Sequence, residues 1–417
     1  MGIDTNLTCD FTVFTREQVL NFKNYSWWVE TIGNLCCGCV GLFLNSITIH
    51  VFSSPELQRN LFNRLLICLT IFDSLYITCE ISEVFRHRYN TILQQYIFVN
   101  FVYPIRNIFM LSSIYMTVVL AFERYQAIAD PVQYRIRVVR SSLKQQLITH
   151  LLPGVIFAVI YYIPRFFELY VGDRNKCKHY SNDILLNING TMEETQETDE
   201  KENCIPEYGI MPTSLRSNPT YVFWYIIVAN LTLTAFLPLF VLTFLNFRII
   251  KSLKKFSHNK RSLKTGDSRT YADSPCQRQS KTASTPTTDV KKTFILFSIV
   301  LLFAICHSLR VTFNIDEFII NMEEMTNSQT CRGPRTWARY LRPINPLLII
   351  LNSSLNFFIY ALFDTGFQEA LQKRLKINQD ISLRQTKETK DHRLQHTTKT
   401  TNANKAVESV DVNIHKV

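Results

Sequence analysis

Residues 106–134 read RNIFMLSSIYMTVVLAFERYQAIADPVQY, and this stretch decides the fold. Its apolar run from Ile108 to Phe122 ends at an acid followed by a base, Glu123-Arg124. A charge at the centre of a bilayer costs about 2.5 kcal/mol or more, so a helix of this composition keeps its charges at the membrane edge. The stretch therefore predicts a membrane-spanning helix that ends in a charged pair at the boundary.

Six further apolar runs accompany this one. A helix of about 20 apolar residues crosses the roughly 30 Å of hydrocarbon in a bilayer. The helices of a large soluble protein would be striped rather than apolar all round, so that alternative is disfavoured. We predict an all-α membrane protein, a bundle of seven transmembrane helices. The predicted spans are Val29–Phe52, Leu61–Val84, Ile97–Tyr125, Leu147–Phe167, Tyr221–Phe247, Thr293–Ile319 and Ile344–Phe363.

The net charge of +11 is distributed unevenly along the chain. Basic residues gather in alternate loops, such as residues 135–144 and 248–292. Cytoplasmic loops carry such an excess of Lys and Arg, so we predict a multi-pass protein of the plasma membrane with its amino terminus outside. The sequence has no phosphate-cradling glycine loop and no nucleotide-stacking motif. Neither a nucleic acid partner nor enzyme activity is therefore expected.

The polar segments divide the chain into four parts. Residues 1–28 are predicted to be an extracellular amino terminus and residues 29–363 the seven-transmembrane domain, whose basic loop 248–292 is flexible. In residues 364–376, Phe367 and Leu371 follow Phe363 at intervals of four, which predicts an amphipathic helix lying in the membrane interface, in contact with lipid. The tail 377–417 is predicted to be disordered in the cytoplasm.

Particular residues within the spans carry a resemblance to a known family. They are Asn45, Leu69, Asp73, Glu123-Arg124-Tyr125, Pro238 and Asn356-Phe357-Phe358-Ile359-Tyr360. Together they resemble the rhodopsin-like (class A) G-protein-coupled receptors. The sixth span reads Cys306-His307-Ser308-Leu309 where most of that family has Cys-Trp-x-Pro, and the fourth lacks the usual Trp. With residues 164–168 and 352–357, this is similar to the invertebrate FMRFamide-type neuropeptide receptors.

The resemblance implies a receptor that takes an extracellular neuropeptide of the FMRFamide-like kind and signals to a heterotrimeric G protein. Amine receptors fit less well because Arg106 replaces their amine-binding Asp, and opsins fit less well because Ile350 replaces their retinal-bearing Lys. Two alternatives stay open. One is a peptide receptor whose ligand presents an acid to Arg106; the other is a transporter or channel, which would need internal repeats and broken helices.

Three groups of residues are expected to carry function if the resemblance holds. Coupling and switching would use Glu123, Arg124, Tyr125, Asp289, Asn356 and Tyr360. An allosteric sodium ion, the one cofactor considered, would lie among Asp73, Ser113, Asn352, Ser353 and Asn356; the alternative is a polar network without an ion. Ligand-binding candidates are Glu80, Glu83, Tyr103, Arg106, Phe166, Glu168, Trp224, His307, Arg310 and Glu317.

The ligand candidates follow from the chemistry of an Arg-Phe-amide terminus. Its guanidinium needs a carboxylate and its phenyl ring needs an aromatic cleft. The alternative for each acid is local pairing with Arg106, Arg165 or Arg310. Ser and Thr residues of the third cytoplasmic loop and the tail are candidates for phosphorylation and arrestin recruitment.

Covalent modification is expected on the outer side. Acceptor tripeptides for glycosylation begin at Asn6, Asn24 and Asn189. The third helix of the resembled family begins with a Cys that clamps the second outer loop, but this chain has Val99 and Asn100 there. Four outer cysteines allow three pairings. We favour Cys177 with Cys204 and Cys9 with Cys331, which keeps the loop bridge local.

Overall fold

The computed structural model describes residues 16–89, 91–176, 205–266, 286–326 and 336–376. Within this part, seven helices are long and apolar enough to cross a membrane, which confirms the predicted bundle. Spans 1 to 7 are Leu20–Phe52, Leu61–Arg86, Ile92–Ala129, Leu143–Phe167, Pro219–Ser252, Thr293–Ile320 and Trp337–Phe363. The four outer cysteines, Asn6 and Asn189 lie outside the described residues.

Most spans consist of more than one helical segment. The segments, with the short helices between spans, are Arg16–Ser26, Trp27–Gly33, Asn34–Phe52, Leu57–Arg59, Leu61–Tyr89, Ile92–Ile97, Phe98–Val102, Tyr103–Ala129, Pro131–Arg140, Leu143–Tyr162, Ile163–Phe167, Pro219–Tyr221, Val222–Ala229, Thr232–Phe236, Leu237–Gly266, Pro286–Thr326, Thr336–Leu341, Ile344–Phe363 and 365–376. Trp27–Gly33, Phe98–Val102, Val222–Ala229 and Thr232–Phe236 are wider π-helical turns. Such turns are often found at functional sites.

The helices extend further than the predicted boundaries. Helix begins at Arg16, inside the predicted extracellular terminus, and span 5 continues as helix to Gly266, inside the predicted flexible loop. The next helix already starts at Pro286. Lys and Arg are good helix formers, so a rise in charge marks the membrane boundary without marking the end of a helix.

Two strands follow span 4 on the outer side. β1 (Leu169–Lys176) pairs antiparallel with β2 (Ile205–Pro212), and Leu169 lies opposite Pro212. The sequence analysis predicted only a long loop here. A long segment separates the two strands in the chain, and short strands of this kind give a weak alternation signal, so their pairing could not be read from the sequence.

The ends of spans 1 and 7 that are predicted to face the cytoplasm meet the last helix of the described chain in an aromatic cluster. Phe367, in helix 365–376, is fully buried, with its ring centroid 5.0 Å from that of Phe52 and 6.0 Å from that of Tyr360. Full burial of a side chain of this size stabilises by about 1.5–3 kcal/mol. Asp364 begins the helix, since its Oδ1 accepts a hydrogen bond from the Phe367 amide at 3.1 Å.

Candidate functional site

A buried ion pair closes the end of span 3 that is predicted to face the cytoplasm. The Glu123 carboxylate is fully buried and accepts hydrogen bonds from Arg124 Nε (2.6 Å) and Nη2 (2.9 Å). A third bond comes from the Tyr134 hydroxyl at 2.6 Å. The Arg124 guanidinium also lies 4.2 Å from the centroid of the Phe62 ring, a cation–π contact to span 2. Each charge is therefore compensated without water.

The loop helix Pro131–Arg140 supplies the tyrosine. Asp130 caps this helix through a 3.1 Å hydrogen bond from the Gln133 amide, which turns the chain back so that Tyr134 reaches Glu123. Burial, and after it the Glu123 carboxylate, raises the pKa of the Tyr134 hydroxyl, so it remains a donor at neutral pH. Sequence reasoning missed Tyr134, although Asp130-Pro131 is the signal for a helix start that could have pointed to it.

The other predicted coupling residues lie apart from this pair. The Tyr125 hydroxyl accepts a 3.4 Å hydrogen bond from Arg248 Nη2. Tyr360 is fully buried, and its hydroxyl has no hydrogen-bond partner in the described part of the chain. Asp289 lies in the helix Pro286–Thr326, but its side chain is outside the described atoms.

Asp73 is the centre of a polar network in the middle of the bundle. Its Oδ1 accepts hydrogen bonds from Ser113 Oγ at 2.6 Å and Ser353 Oγ at 3.2 Å. Its Oδ2 accepts one from Asn356 Nδ2 at 3.0 Å. Asn352, Ser113 and Ser353 line an adjacent cavity of about 10 Å³. The structure thus brings together all five predicted sodium-pocket residues.

The chemistry of this network suits a small hard cation. It offers carboxylate, hydroxyl and amide oxygens, the ligand type that such cations prefer. The Asn356 Oδ1 atom is buried and has no hydrogen-bond partner within the described residues, so one oxygen of the set stays unused. Over the same residues, no group of three or more His, Cys, Asp or Glu side chains forms a metal site.

The outer ends of spans 1, 2, 3 and 7 enclose a cavity of about 840 Å³. Glu80 and Glu83 of span 2 and Arg106 of span 3, three of the predicted ligand residues, line it. Pockets of about 300–1,000 Å³ take drug-sized ligands, so this volume accommodates the end of a peptide. Of the predicted glycosylation sites, Asn24 lines the same cavity and is exposed.

The acids of span 2 are already paired. Arg106 Nη1 lies 3.5 Å from Glu80 Oε1 and also bonds Glu83 Oε2. Arg86 Nη2 lies 3.6 Å from the other Glu83 oxygen. Two carboxylates thus face two guanidinium groups, which is the local pairing considered as the alternative for these acids. Arg106 is correspondingly poorly placed to receive an acid from a ligand.

Span 1 contributes two cavity residues that sequence reasoning missed. Glu30 is exposed and accepts a 2.6 Å hydrogen bond from Ser26 Oγ. Asn34 is 5% exposed, and its Oδ1 has no hydrogen-bond partner among the residues described. The available signal was Glu30 itself, an acid just inside an apolar run.

Glu168 is the centre of a separate cluster at the ends of spans 3, 4 and 5. Its Oε2 accepts hydrogen bonds from Arg165 Nη1 (2.9 Å) and the Tyr103 hydroxyl (2.7 Å). Its Oε1 accepts one from the Tyr221 hydroxyl (2.7 Å), and Arg216 Nη1 lies 3.6 Å from Oε2. The carboxylate is fully buried. The predicted ligand residues Tyr103 and Glu168 therefore bind each other and do not line the outer cavity.

Spans 3, 5 and 6 are held together by a second set of contacts. Arg310 Nη2 donates to Asn230 Oδ1 at 3.3 Å, and its Nη1 contacts Met110 Sδ. Phe223 stacks on Phe318 with ring centroids 5.5 Å apart. These side chains occupy the outer space between the three spans.

The remaining ligand candidates are dispersed. His307 is buried, 4.2 Å from the Phe303 ring, and lines the small cavity of the Asp73 network. Phe166 is half-buried, while Trp224 and Glu317 are exposed. The lining of the outer cavity, as far as the chain is described, includes none of these four side chains.

Comparison with known proteins gives the family. The sequence profile of the 7 transmembrane receptor (rhodopsin family) matches residues 44–360. The chain belongs to this family. It is a family of receptors and not of enzymes, and the match disfavours the transporter or channel alternative. Its seven helices make the receptor a multi-pass membrane protein.

Two relatives are named for their ligands. The receptor is 23% identical to the FMRFamide receptor of Drosophila melanogaster over 362 residues, 84% of this chain and 54% of that protein. It is 22% identical to an FMRFamide peptide receptor of Caenorhabditis elegans over 344 residues, 81% of this chain and 67% of that protein. The receptor thus spans about half the length of the Drosophila relative.

Proposed function

We propose that this receptor binds an extracellular neuropeptide of the FMRFamide type and activates a heterotrimeric G protein. It acts at the plasma membrane with its amino terminus outside. The proposal rests on one observation: an open, charged cavity lies at one end of the bundle, and the Glu123–Arg124 ion pair closes the other end. The family and the names of the two relatives support the same assignment.

The chemistry of the ligand matches the cavity. An FMRFamide terminus presents one guanidinium, an aromatic ring and an uncharged carboxamide. Carboxylates bind guanidinium groups with strong charge-assisted hydrogen bonds, and Glu30, Glu80 and Glu83 line the cavity. The Trp27 ring in the same lining offers an aromatic surface for the phenyl group.

Activation proceeds by selection between two arrangements of the spans. The peptide favours the active arrangement only through its higher affinity for that state. A shift from 1:99 to 99:1 needs about 5.5 kcal/mol of differential binding. On the cytoplasmic side the shift separates Arg124 from Glu123 and exposes the crevice that the G protein enters. Phosphorylated Ser and Thr residues of the third loop and the tail then recruit arrestin.

Asp73, Ser113, Ser353 and Asn356 would supply the oxygen ligands of a sodium ion, and Asn352 lines the cavity beside them. Such an ion would neutralise a carboxylate that is otherwise costly inside the membrane and would favour the resting arrangement. We expect agonist affinity to fall as sodium replaces choline in the buffer, and Asp73→Asn to abolish this dependence. Equal sodium dependence in both proteins would contradict the ion site.

The test of the proposal is a cell assay on the full chain. Cells expressing the receptor are exposed to FMRFamide, to amidated peptides without Arg and to acidic peptides, and calcium and cyclic AMP are recorded. We expect a response to FMRFamide that untransfected cells lack. The same cells carrying Arg124→Ala should not respond at matched surface expression.

The matched control is Arg135→Ala. Arg135 is an exposed base on the helix Pro131–Arg140, eleven residues after Arg124. Its replacement by Ala should leave signalling intact. A normal response from Arg124→Ala would remove the switch role. A receptor that answers only acidic peptides would overturn the ligand class.

A further inference from the structure

We infer that span 1 binds the carboxy-terminal Arg-Phe-amide of the ligand. Glu30 pairs with the guanidinium, and the Asn34 oxygen accepts a hydrogen bond from the terminal carboxamide. The inference rests on the proposed function and adds to it a specific recognition site. It moves the ligand contacts from the predicted acids of spans 2 and 4 to a helix in which the sequence analysis singled out no ligand residue.

Glu30 is the carboxylate available to a ligand. Glu80 and Glu83 share Arg106 and Arg86, so their charge is already compensated. Glu30 accepts one hydrogen bond from the Ser26 hydroxyl, and no cation in the described part of the chain pairs with it. A guanidinium entering the cavity therefore gains a full ion pair at Glu30, whereas at Glu83 it would compete with two existing partners.

Asn34 supplies the second contact. It lines the cavity and is 5% exposed, and its amide oxygen lacks a hydrogen-bond partner over the described residues. A buried acceptor left unpaired costs about 1–3 kcal/mol. A ligand that donates a hydrogen bond removes this cost. A carboxamide N–H is such a donor, whereas a free carboxylate has only acceptors and would meet an oxygen.

The order of the two residues along span 1 matches the order of groups in the ligand. Asn34 follows Glu30 by four residues, about one turn of the helix. Asn34 is buried and nearer the centre of the span, while Glu30 is exposed and nearer the mouth. A peptide that enters with its amidated end first places the carboxamide at Asn34 and the preceding Arg side chain above it, beside Glu30.

Two cationic side chains of the cavity would suit an acidic ligand, the alternative to an amidated one. Lys23 and Arg342 line the cavity and are both exposed, so they lie at its outer rim. An acidic ligand would pair with these groups and would leave the Asn34 oxygen without a donor. The state of the peptide terminus therefore distinguishes the two kinds of ligand.

The experiment measures agonist potency for three peptides on the full receptor: FMRFamide, its free acid, and the amidated analogue with citrulline in place of Arg. The variants are Asn34→Leu and Glu30→Gln, with Ser46→Ala as the control, since Ser46 is exposed on the same span and does not line the cavity. Surface expression is matched throughout. Where Asn34→Leu does not reach the surface, Asn34→Ala takes its place.

We expect each variant to lose one discrimination only. Asn34→Leu should reduce the preference for amide over free acid by about tenfold and leave the preference for Arg over citrulline unchanged. Glu30→Gln should reduce the Arg preference by about 10–100-fold and leave the amide preference unchanged. Ser46→Ala should change neither ratio.

Three results would overturn the inference. If both variants keep the wild-type preferences for amide over free acid and for Arg over citrulline, span 1 does not bind the end of the ligand, although the proposed function stands. If Glu83→Gln, and not Glu30→Gln, loses the preference for Arg, the guanidinium site belongs to span 2. If the unmodified receptor responds to no amidated peptide, the proposed function fails first.

Discussion

Two clusters of acids lie near the outer ends of the spans, and they differ in how far their hydrogen-bonding capacity is used. Glu168 is fully buried and receives bonds from Arg165, Tyr103 and Tyr221. The cluster of the outer cavity consists of Glu30, Asn34, Glu80, Glu83 and Arg106. Among the residues that the structure describes, it keeps one carboxylate without a cation and one buried oxygen without a donor. A cluster whose hydrogen-bonding atoms are all paired holds helices together, whereas a cluster with unpaired atoms can still form hydrogen bonds to a ligand.

The Glu168 cluster also has a place in the architecture. Tyr103 belongs to span 3, and β1 starts at Leu169, directly after Glu168. The cluster therefore joins span 3 to the second outer loop. In the rhodopsin family a cysteine at the start of the third helix makes that connection, and this chain has Val99 and Asn100 there.

The largest effect should come from Glu168→Ala. It leaves the Arg165 guanidinium, whose side chain is 8% exposed, without its main counter-ion. Breaking a buried ion pair by removing one partner costs about 3–5 kcal/mol. We expect surface expression to collapse and the melting temperature of solubilised receptor to fall sharply. Glu30→Ala is the control, since an exposed acid should change stability by no more than about 0.5 kcal/mol. If both variants lost the same amount of stability, the two clusters would not differ in their structural role.

Tyr134→Phe extends the comparison to the opposite end of the bundle, where Glu123 is as fully buried as Glu168. In the described part of the chain, the hydrogen bonds to Glu123 come from its own span and the next helix. The change removes one hydrogen bond to a carboxylate, worth about 1.5–3 kcal/mol. If that bond exists only in the resting arrangement, basal signalling rises by about tenfold or more. Cyclic AMP or inositol phosphate without agonist measures it. Unchanged basal signalling would show that the bond persists in the active arrangement.

Arg106→Gln should have a smaller effect on stability, about 1–2 kcal/mol. Glu83 retains Arg86, and the new Gln amide can donate a hydrogen bond to the buried Glu80, which loses its ion pair. The variant should still respond to FMRFamide, since the cavity gains negative charge. A thermal shift assay and a dose–response curve test both statements. A complete loss of response, with the receptor at the surface, would instead favour a ligand acid bound by Arg106.

The smallest effect is expected from Glu56→Gln. Glu56 pairs with Lys373 at 3.0 Å, but the two side chains are 69% and 64% exposed. Exposed ion pairs contribute about 0–1 kcal/mol and are screened by salt. The melting temperature should stay close to wild type at physiological ionic strength. A fall in melting temperature as large as that of Glu168→Ala would mean that burial does not determine which acids stabilise the fold.

The sequence was sufficient for the bundle and for much of the coupling region. Apolar runs and loop charges predicted seven spans, and adjacent residues such as Glu123 and Arg124 predicted their own contact. The Asp73 network was also predicted, but only through the family resemblance, because Asp73 and Asn356 are 283 residues apart.

The outer side was less predictable because its contacts are distant in the chain and depend on exact helix rotation. Tyr103 and Tyr221 reach Glu168 from 65 and 53 residues away, and nothing local to Glu168 reveals that its oxygens are saturated. Glu30 lies in the π-helical segment Trp27–Gly33, where the wider turn changes the direction of side chains relative to a regular helix. A boundary drawn at Val29 left the first two residues of this segment outside the predicted span.

The first helix also determines how the receptor can be handled in the laboratory. The Tyr25 hydroxyl donates a 2.9 Å hydrogen bond to the Tyr340 carbonyl, and the Phe22 ring packs edge-on against Tyr340. Lys23, Asn24 and Trp27 on this helix line the outer cavity. Deleting residues 1–28 to ease purification would thus remove part of the wall of that cavity, whereas a fusion that keeps residues 16–28 retains these side chains.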